Sequence, residues 1–242
     1  MNWKAEVKRY IGPDPVQAVR LSYHALTTGF GRADRKLAAA YFATAAQPKL
    51  HIGCGRNIRP GWLNTDNFPK TSGAMHLDAT RRFPFPDASF DYAFSEHMIE
   101  HVPYAGGLVM LKECRRVLKP GGRIRISTPD FAFLMGLTRP DKSEVQRTYI
   151  TWSANKYVPG APDDNPMFVI NNYVRDWGHT FIYDERTLRD TLVAAGFSDV
   201  VRCALQQSED PVLRGLEFED RMPPGFLELE TITLEAVRPR DS

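Results

Sequence analysis

The residues most able to do chemistry begin at Leu50-His51-Ile52-Gly53-Cys54-Gly55, a short apolar run that ends in a glycine-rich turn. Glycine removes the side chain where a ligand must touch backbone. A second apolar run, Trp62-Leu63-Asn64-Thr65-Asp66, ends in a carboxylate. An acid at the tip of the next strand can accept hydrogen bonds from both hydroxyls of a ribose. Together these features point to a nucleoside site at the C-terminal edge of a parallel sheet. They argue against a dinucleotide site. A Gly-x-Gly-x-x-Gly turn would need glycine where Ile58 stands, and Asp66 arrives earlier than the ~20 residues that a full crossover helix takes up.

Positioning such a site takes alternating strands and helices. The first strand is read at 49–52, the second at 62–65, a brief third at 74–77 ending at Asp78, and a fourth at 90–94. The loop between the first two has room for at most one helical turn. A helix is read over 107–118, stopped by Lys119-Pro120-Gly121-Gly122, a breaker and turn. The fifth strand follows at 123–127. Its Arg123-Ile124-Arg125-Ile126 alternation suggests a less buried face, or arginine stems lying over apolar surface. Residues 130–180 read as irregular and aromatic-rich, punctuated by Pro140, Pro159, Pro162 and Pro166. That is long for a connection, so an inserted subelement is expected. A helix over 184–195 has Asp184 as N-cap and Gly196 as C-terminal cap. Strands near 200–204 and at 231–237 close the pattern, which implies a mostly parallel sheet. Residues 1–47 read as an N-terminal helical extension, with helices at 16–26 and 32–46, ahead of a main domain spanning 48–242.

Composition narrows the function classes. The 242 residues suffice for one α/β domain with additions. A formal net charge of +2 with no run of five like charges gives no sign of a nucleic-acid partner. The three cysteines, Cys54, Cys114 and Cys203, are far apart, which excludes a Cys-x-x-Cys metal or redox motif. A low, odd count fits a reducing compartment. No signal-peptide core and no transmembrane run are visible, so the expected location is cytoplasmic.

Taken in order, Leu50 to Gly55, Asn64-Thr65-Asp66, Leu77-Asp78-Ala79, Phe90 to His101 and Leu118-Lys119-Pro120-Gly121-Gly122 resemble a class I S-adenosylmethionine-dependent methyltransferase. The resemblance covers roughly residues 48–130, and Ala195-Gly196-Phe197 is similar to the same family further on. It implies a Rossmann-like α/β fold: a seven-stranded, mostly parallel sheet with the last strand antiparallel, flanked by helices. The N-terminal helices and an insertion after the fifth strand would be additions. It also implies S-adenosyl-L-methionine as cofactor. By position, Gly53, Cys54 and Gly55 would lie under its methionine part, and Asp66 would bind the ribose hydroxyls. Asp78 would bind the adenine amino group with the Ala79 backbone beside it. Ser95 to His97 would line the space between cofactor and acceptor. Two positions depart from the family pattern: His51 stands where many members have an acid, and Asn57 where many have a third glycine. His51 is read as a core histidine and Cys54 as a small packing residue.

For the acceptor side, His97 follows the fourth-strand tip and is the first choice as general base, since imidazole titrates near neutrality. His179 follows Trp177-Gly178 and is the second catalytic candidate. His97-x-x-Glu100-His101 has the spacing of a metal-site fragment but is not His-Glu-x-x-His, and no metal is expected. In the insertion, Trp152, Tyr157, Phe168, Tyr173 and Trp177, interleaved with Asn155, Asn171, Asn172 and Arg175, would suit a ring or sugar, or else form a small apolar cluster. Residues 130–180 are therefore a candidate substrate lid. The leading expectation is methyl transfer to oxygen or nitrogen of a small molecule or saccharide. The alternatives are a methyltransferase acting on a protein or nucleic acid, and a noncatalytic module that binds S-adenosylmethionine.

Overall fold

Leu50, His51 and Ile52 are all buried because their strand is sandwiched between two others, which removes any need for alternation. The computed structural model describes residues 31–240, so the helix expected at 16–26 lies outside the described residues. A seven-stranded sheet forms from β1 (Lys49–Ile52), β2 (Leu63–Asp66), β3 (Ala74–His76), β4 (Phe90–Glu96), β5 (Leu118–Pro129), β6 (Ser198–Cys203) and β7 (Thr231–Val237). Their order is β3-β2-β1-β4-β5-β7-β6. Only β7 runs antiparallel to its neighbours, as the resemblance implied. No helix separates β1 from β2.

Helix α1 (Arg32–Thr44) packs Leu37, Tyr41 and Phe42 on the main core. Its Asp34 carboxylate accepts from the His76 N–H at 3.1 Å, and the Tyr41 hydroxyl donates to the Lys49 carbonyl at 3.0 Å. These bonds tie the helix to the end of β3 and the start of β1. Helix α2 (Tyr104–Val117) buries Met110, Leu111, Cys114 and Val117 against the sheet.

Three expectations need correction. Lys119-Pro120-Gly121-Gly122 ends the helix but lies inside β5, where Leu118 pairs with Phe90 and Arg123 with Tyr92. The extra residues form a bulge, with Gly121 at φ +81°. At Gly122 a Cβ would sit 2.8 Å from the Lys119 carbonyl oxygen. Second, residues 130–180 are largely helical: α3 (Phe131–Gly136), α4 (Glu144–Tyr157) and α5 (Pro166–Arg175). The prolines mark boundaries rather than break elements. Pro166 occupies the first turn of α5 behind the Asn165 cap, where its missing N–H costs nothing. Ser143 and Gln146 form a capping box at the start of α4. These helices share a second core with Phe226 of the short helix α7 (Phe226–Glu230). The remaining helix, α6 (Glu185–Ala194), begins with Asp184 accepting from the Thr187 N–H at 2.8 Å, as the sequence indicated.

Third, Arg125 does not cover apolar surface. It is fully buried, with Nε 2.6 Å from Glu217 and Nη1 2.5 Å from Glu235. The segment between β6 and β7 folds over that face of the sheet and supplies Glu217, while Leu213 and Leu216 pack against Phe94 and Trp62.

Candidate active site

The C-terminal ends of β1, β2, β3 and β4 bring the expected cofactor residues to one edge of the sheet. After β1 the chain turns through Gly53 at φ +73° and Gly55 at φ +54°. A Cβ at Gly53 would collide with Met98, whereas at Gly55 it would meet nothing within 4 Å. At Gly55 the turn therefore offers bare backbone to open space, while at Gly53 the Met98 side chain lies against it. Asp66, at the tip of β2, accepts from the Gly55 N–H at 2.8 Å and the Phe68 N–H at 2.7 Å. Asp78 follows β3 and accepts from the Thr80 N–H at 2.9 Å and hydroxyl at 2.6 Å. Ala79 beside it is buried. Bare glycine backbone at Gly55 and two partly exposed carboxylates along one edge are chemically suited to a nucleoside.

His51 is 1 % exposed, bonds Asn64 at 2.9 Å and stacks on Phe94. Burial lowers its pKa to about 4, so it is a neutral core histidine. Cys54 is buried, and burial with the nearby Asp66 pushes its thiol up to about 12, which leaves no thiolate for nucleophilic work. Ser95 is buried at the end of β4, and its hydroxyl has no hydrogen-bond partner.

Beyond β4 the chain changes direction at His97, whose φ of +46° is left-handed for a residue with a Cβ. Its N–H donates to the Ser127 carbonyl at 2.8 Å, which holds that conformation. The ring is mostly buried, with Nε2 3.0 Å from the Thr231 hydroxyl and Nδ1 3.6 Å from Glu100. A short 3-10 turn, Ile99–His101, then presents Glu100 and His101. The Thr180 and Phe181 N–H groups donate to the Glu100 carbonyl at 2.8 and 3.1 Å, so the far end of the insertion is stitched to this turn. The stitch sets the His179 ring 5.0 Å from the His101 ring.

These groups line a cavity of about 240 Å³. Trp152, Tyr157, Tyr173 and Trp177 supply its aromatic wall. Phe168, Asn155, Asn171 and Arg175 are exposed instead. Sequence reasoning missed Tyr149, Glu230 and Arg221, which also face the cavity. The Tyr149 hydroxyl donates to Glu230, and Arg221 pairs with Glu96. Nothing in their local pattern marked them, because they come from α4, α7 and the segment before it.

The cavity is a low-dielectric place. Burial lowers the pKa of His97 well below the usual histidine value, with Arg221 adding to the effect, and lowers His101. Burial takes His179 down to about 4 against the opposing bond to the Tyr173 carbonyl. Burial lifts Glu100 to about 8 and Glu230 to about 7. At neutral pH the three imidazoles are uncharged.

Residues 50–126 match a family model described as a methyltransferase domain. The chain is 35% identical over 94 residues to an uncharacterized 37.1 kDa protein in transposon TN4556 of Streptomyces fradiae, a match covering 39% of this chain and 26% of that protein. The chain thus spans about a quarter of that relative's length. A solved SAM dependent methyltransferase from Archaeoglobus fulgidus is similar at 17% identity and a TM-score of 0.46, over 89% of this chain and 99% of that one. Phosphoethanolamine N-methyltransferase 2 of Haemonchus contortus, in complex with S-adenosyl-L-methionine, is similar at 15% identity and a TM-score of 0.44, over 84% of this chain and 52% of that one. The region similar to a methyltransferase domain, residues 50–126, contains the glycine turn and both strand-tip acids, Asp66 and Asp78.

Proposed function

We propose that this protein is an S-adenosylmethionine-dependent methyltransferase that acts on an oxygen or nitrogen of a small molecule, saccharides included. The observation that carries this reading is the aromatic-walled cavity beyond the β4 tip, whose volume of about 240 Å³ suits a ring or a sugar residue. It lies beyond the β4 tip, next to the β1 and β2 tips that carry the glycine turn and Asp66, and Met98, the neighbour of His97, packs on Gly53. Gly53, Cys54 and Gly55 would hold the methionine part of the cofactor through backbone. Asp66 would take the ribose hydroxyls, Asp78 and the Ala79 backbone the adenine, and Ser95 the inner wall. When bound, the cofactor supplies an electrophilic methyl on a sulfonium. The chain's own task is to hold the acceptor in line with it and exclude water.

His97 is uncharged at neutral pH and so can take a proton from an acceptor hydroxyl. Its Thr231 bond fixes the ring, and Nδ1 turns toward the Glu100 side. His179 donates Nδ1–H to the Tyr173 carbonyl at 2.6 Å, which leaves Nε2 with a lone pair. Helices α3 to α5 would act as a lid that closes the aromatic wall over the acceptor.

The test is transfer of labelled methyl from S-adenosylmethionine to a panel of hydroxylated rings, sugars and amines. The expected result is a labelled small molecule. The rate should fall about 10²–10⁴-fold in His97→Ala, the range for losing a general base, with cofactor affinity unchanged. Label appearing only in protein or RNA, or cofactor binding without any transfer, would overturn the reading.

A further inference from the structure

Glu100, His101 and His179 each offer one ligand atom, and these atoms all lie within 4.8 Å of one another. Among the described residues no other group of three or more metal-ligating side chains is so arranged. Two imidazoles and a carboxylate are a donor set for a borderline divalent cation such as Zn²⁺. The Glu100 Oε1 to His101 Nε2 distance is 3.9 Å. Bonds of roughly 2.0–2.2 Å place two ligands of one ion about 3.0–4.2 Å apart, so these atoms need little movement to share a cation.

A second observation points to a ligand independently of the clustering. Glu100 has no exposed surface, and its Oε1 is buried with no hydrogen-bond partner, while Oε2 takes the Thr128 hydroxyl at 3.0 Å. A buried acceptor left unpaired is costly, and one that faces two imidazoles in a cavity has a specific use. The outer contacts agree. His179 Nδ1–H is committed to the Tyr173 carbonyl, which fixes the tautomer whose Nε2 can bind metal. Thr128 orients the carboxylate in the same way. The one arginine lining this cavity, Arg221, is already paired with Glu96.

We propose that Glu100, His101 and His179 bind a divalent transition-metal cation at the floor of the cavity, with its remaining coordination positions open toward the aromatic wall. Three protein ligands leave room for water or an acceptor oxygen. The acceptor half of this statement rests on the proposed function. It would narrow the acceptor to a molecule with a hydroxyl or carboxyl oxygen that the cation can hold beside His97. The cation site itself does not depend on that reading.

The test is titration of tag-free, chelator-treated protein with Co²⁺ as a spectroscopic probe, and with Zn²⁺ by calorimetry. One ion per chain is expected, with visible Co²⁺ bands of a four- or five-coordinate nitrogen and oxygen site. Glu100→Gln, His101→Ala and His179→Ala should each weaken Zn²⁺ at least tenfold, and the double histidine variant should lose the Co²⁺ bands. Cofactor affinity and the thermal midpoint without metal, measured on the same variants, show that they are folded. Absence of stoichiometric binding, or binding unchanged in a folded double variant, would overturn the site. Zn²⁺ binding with no small-molecule acceptor found would leave the cation site standing and remove the acceptor assignment.

Discussion

The Asp66 carboxylate accepts from the Gly55 N–H at 2.8 Å, so the acid at the tip of β2 and the glycine turn after β1 are one hydrogen-bonded unit. The same carboxylate, through its other oxygen, orders the chain leaving β2 at Phe68. One side chain therefore both shapes the turn and faces the edge where the ribose is proposed to bind. Asp66→Ala should weaken S-adenosylmethionine by about 2–4 kcal/mol, since charge-assisted bonds are lost on both counts. Calorimetry on the folded variant checks this, and an unchanged affinity would remove Asp66 from the site.

Asp78 should contribute less. Its Oδ1 is already occupied by the Thr80 N–H and hydroxyl, and its Oδ2 pairs with the exposed Arg81 at 3.0 Å, so an adenine amino group would have to share Oδ2. Asp78→Ala should cost about 1–2 kcal/mol of cofactor affinity. It should also erase the preference for the adenine cofactor over its hypoxanthine analogue. Competition binding with both compounds measures the preference. If discrimination survives, the base is read elsewhere.

The insertion helices should order when the site fills. They have their own apolar core, built on Phe133, Tyr149 and Val169, and reach the main sheet through the Glu100–Thr180 stitch and α7. Such a satellite unit can open without unfolding the rest. Amide exchange in α4 and α5 should slow when product cofactor and acceptor bind together. Equally slow exchange without ligands would mark a fixed insert.

The buried Arg125 triad sets an acid limit on stability. Burial raises the Glu217 carboxyl, but the bond and charge from Arg125 outweigh it and leave its pKa below the ordinary 4.5. A folded value below the unfolded one means that this stabilisation is present above about pH 4.5 and is lost as pH falls through the folded value. Arg125→Met leaves Glu217 and Glu235 uncompensated and should cost about 3–5 kcal/mol at neutral pH. Urea unfolding at several pH values should show the gap to the parent protein narrowing as pH falls, first above pH 4.5 as the orphaned Glu217, now raised by burial alone, takes up a proton, and then below it as Glu217 of the parent does the same. A gap that stays constant with pH would contradict the assignment.

Much of the fold was legible along the chain. The run Leu50-His51-Ile52 declared a doubly covered strand, Gly53 to Gly55 a tight turn, Asp66 and Asp78 the strand tips, and Asp184 and Gly196 the limits of a helix. Each depends on a few neighbouring residues: apolar period, a backbone conformation that glycine adopts freely, a cap. The strand-tip turn and acids were readable for the same reason, because strand-end turns are local. The aromatic-walled cavity was not. Glu100, Tyr149, His179, Arg221 and Glu230 are far apart in the chain, and only the packing of the insertion and α7 against the β4 tip brings them together. Arg125 is the sharpest case. Its alternation with isoleucine described a half-open strand face, but Glu217 and Glu235, which make its burial tolerable, lie about a hundred residues away in sequence. The sequence alone determined most of the strands, the helices that flank them and the strand-tip turns, since those follow from local backbone preference and periodic burial; the helices within 130–180 escaped it. Only the tertiary structure decided which charges are buried and which side chains meet, because that depends on long-range contacts that no local pattern records.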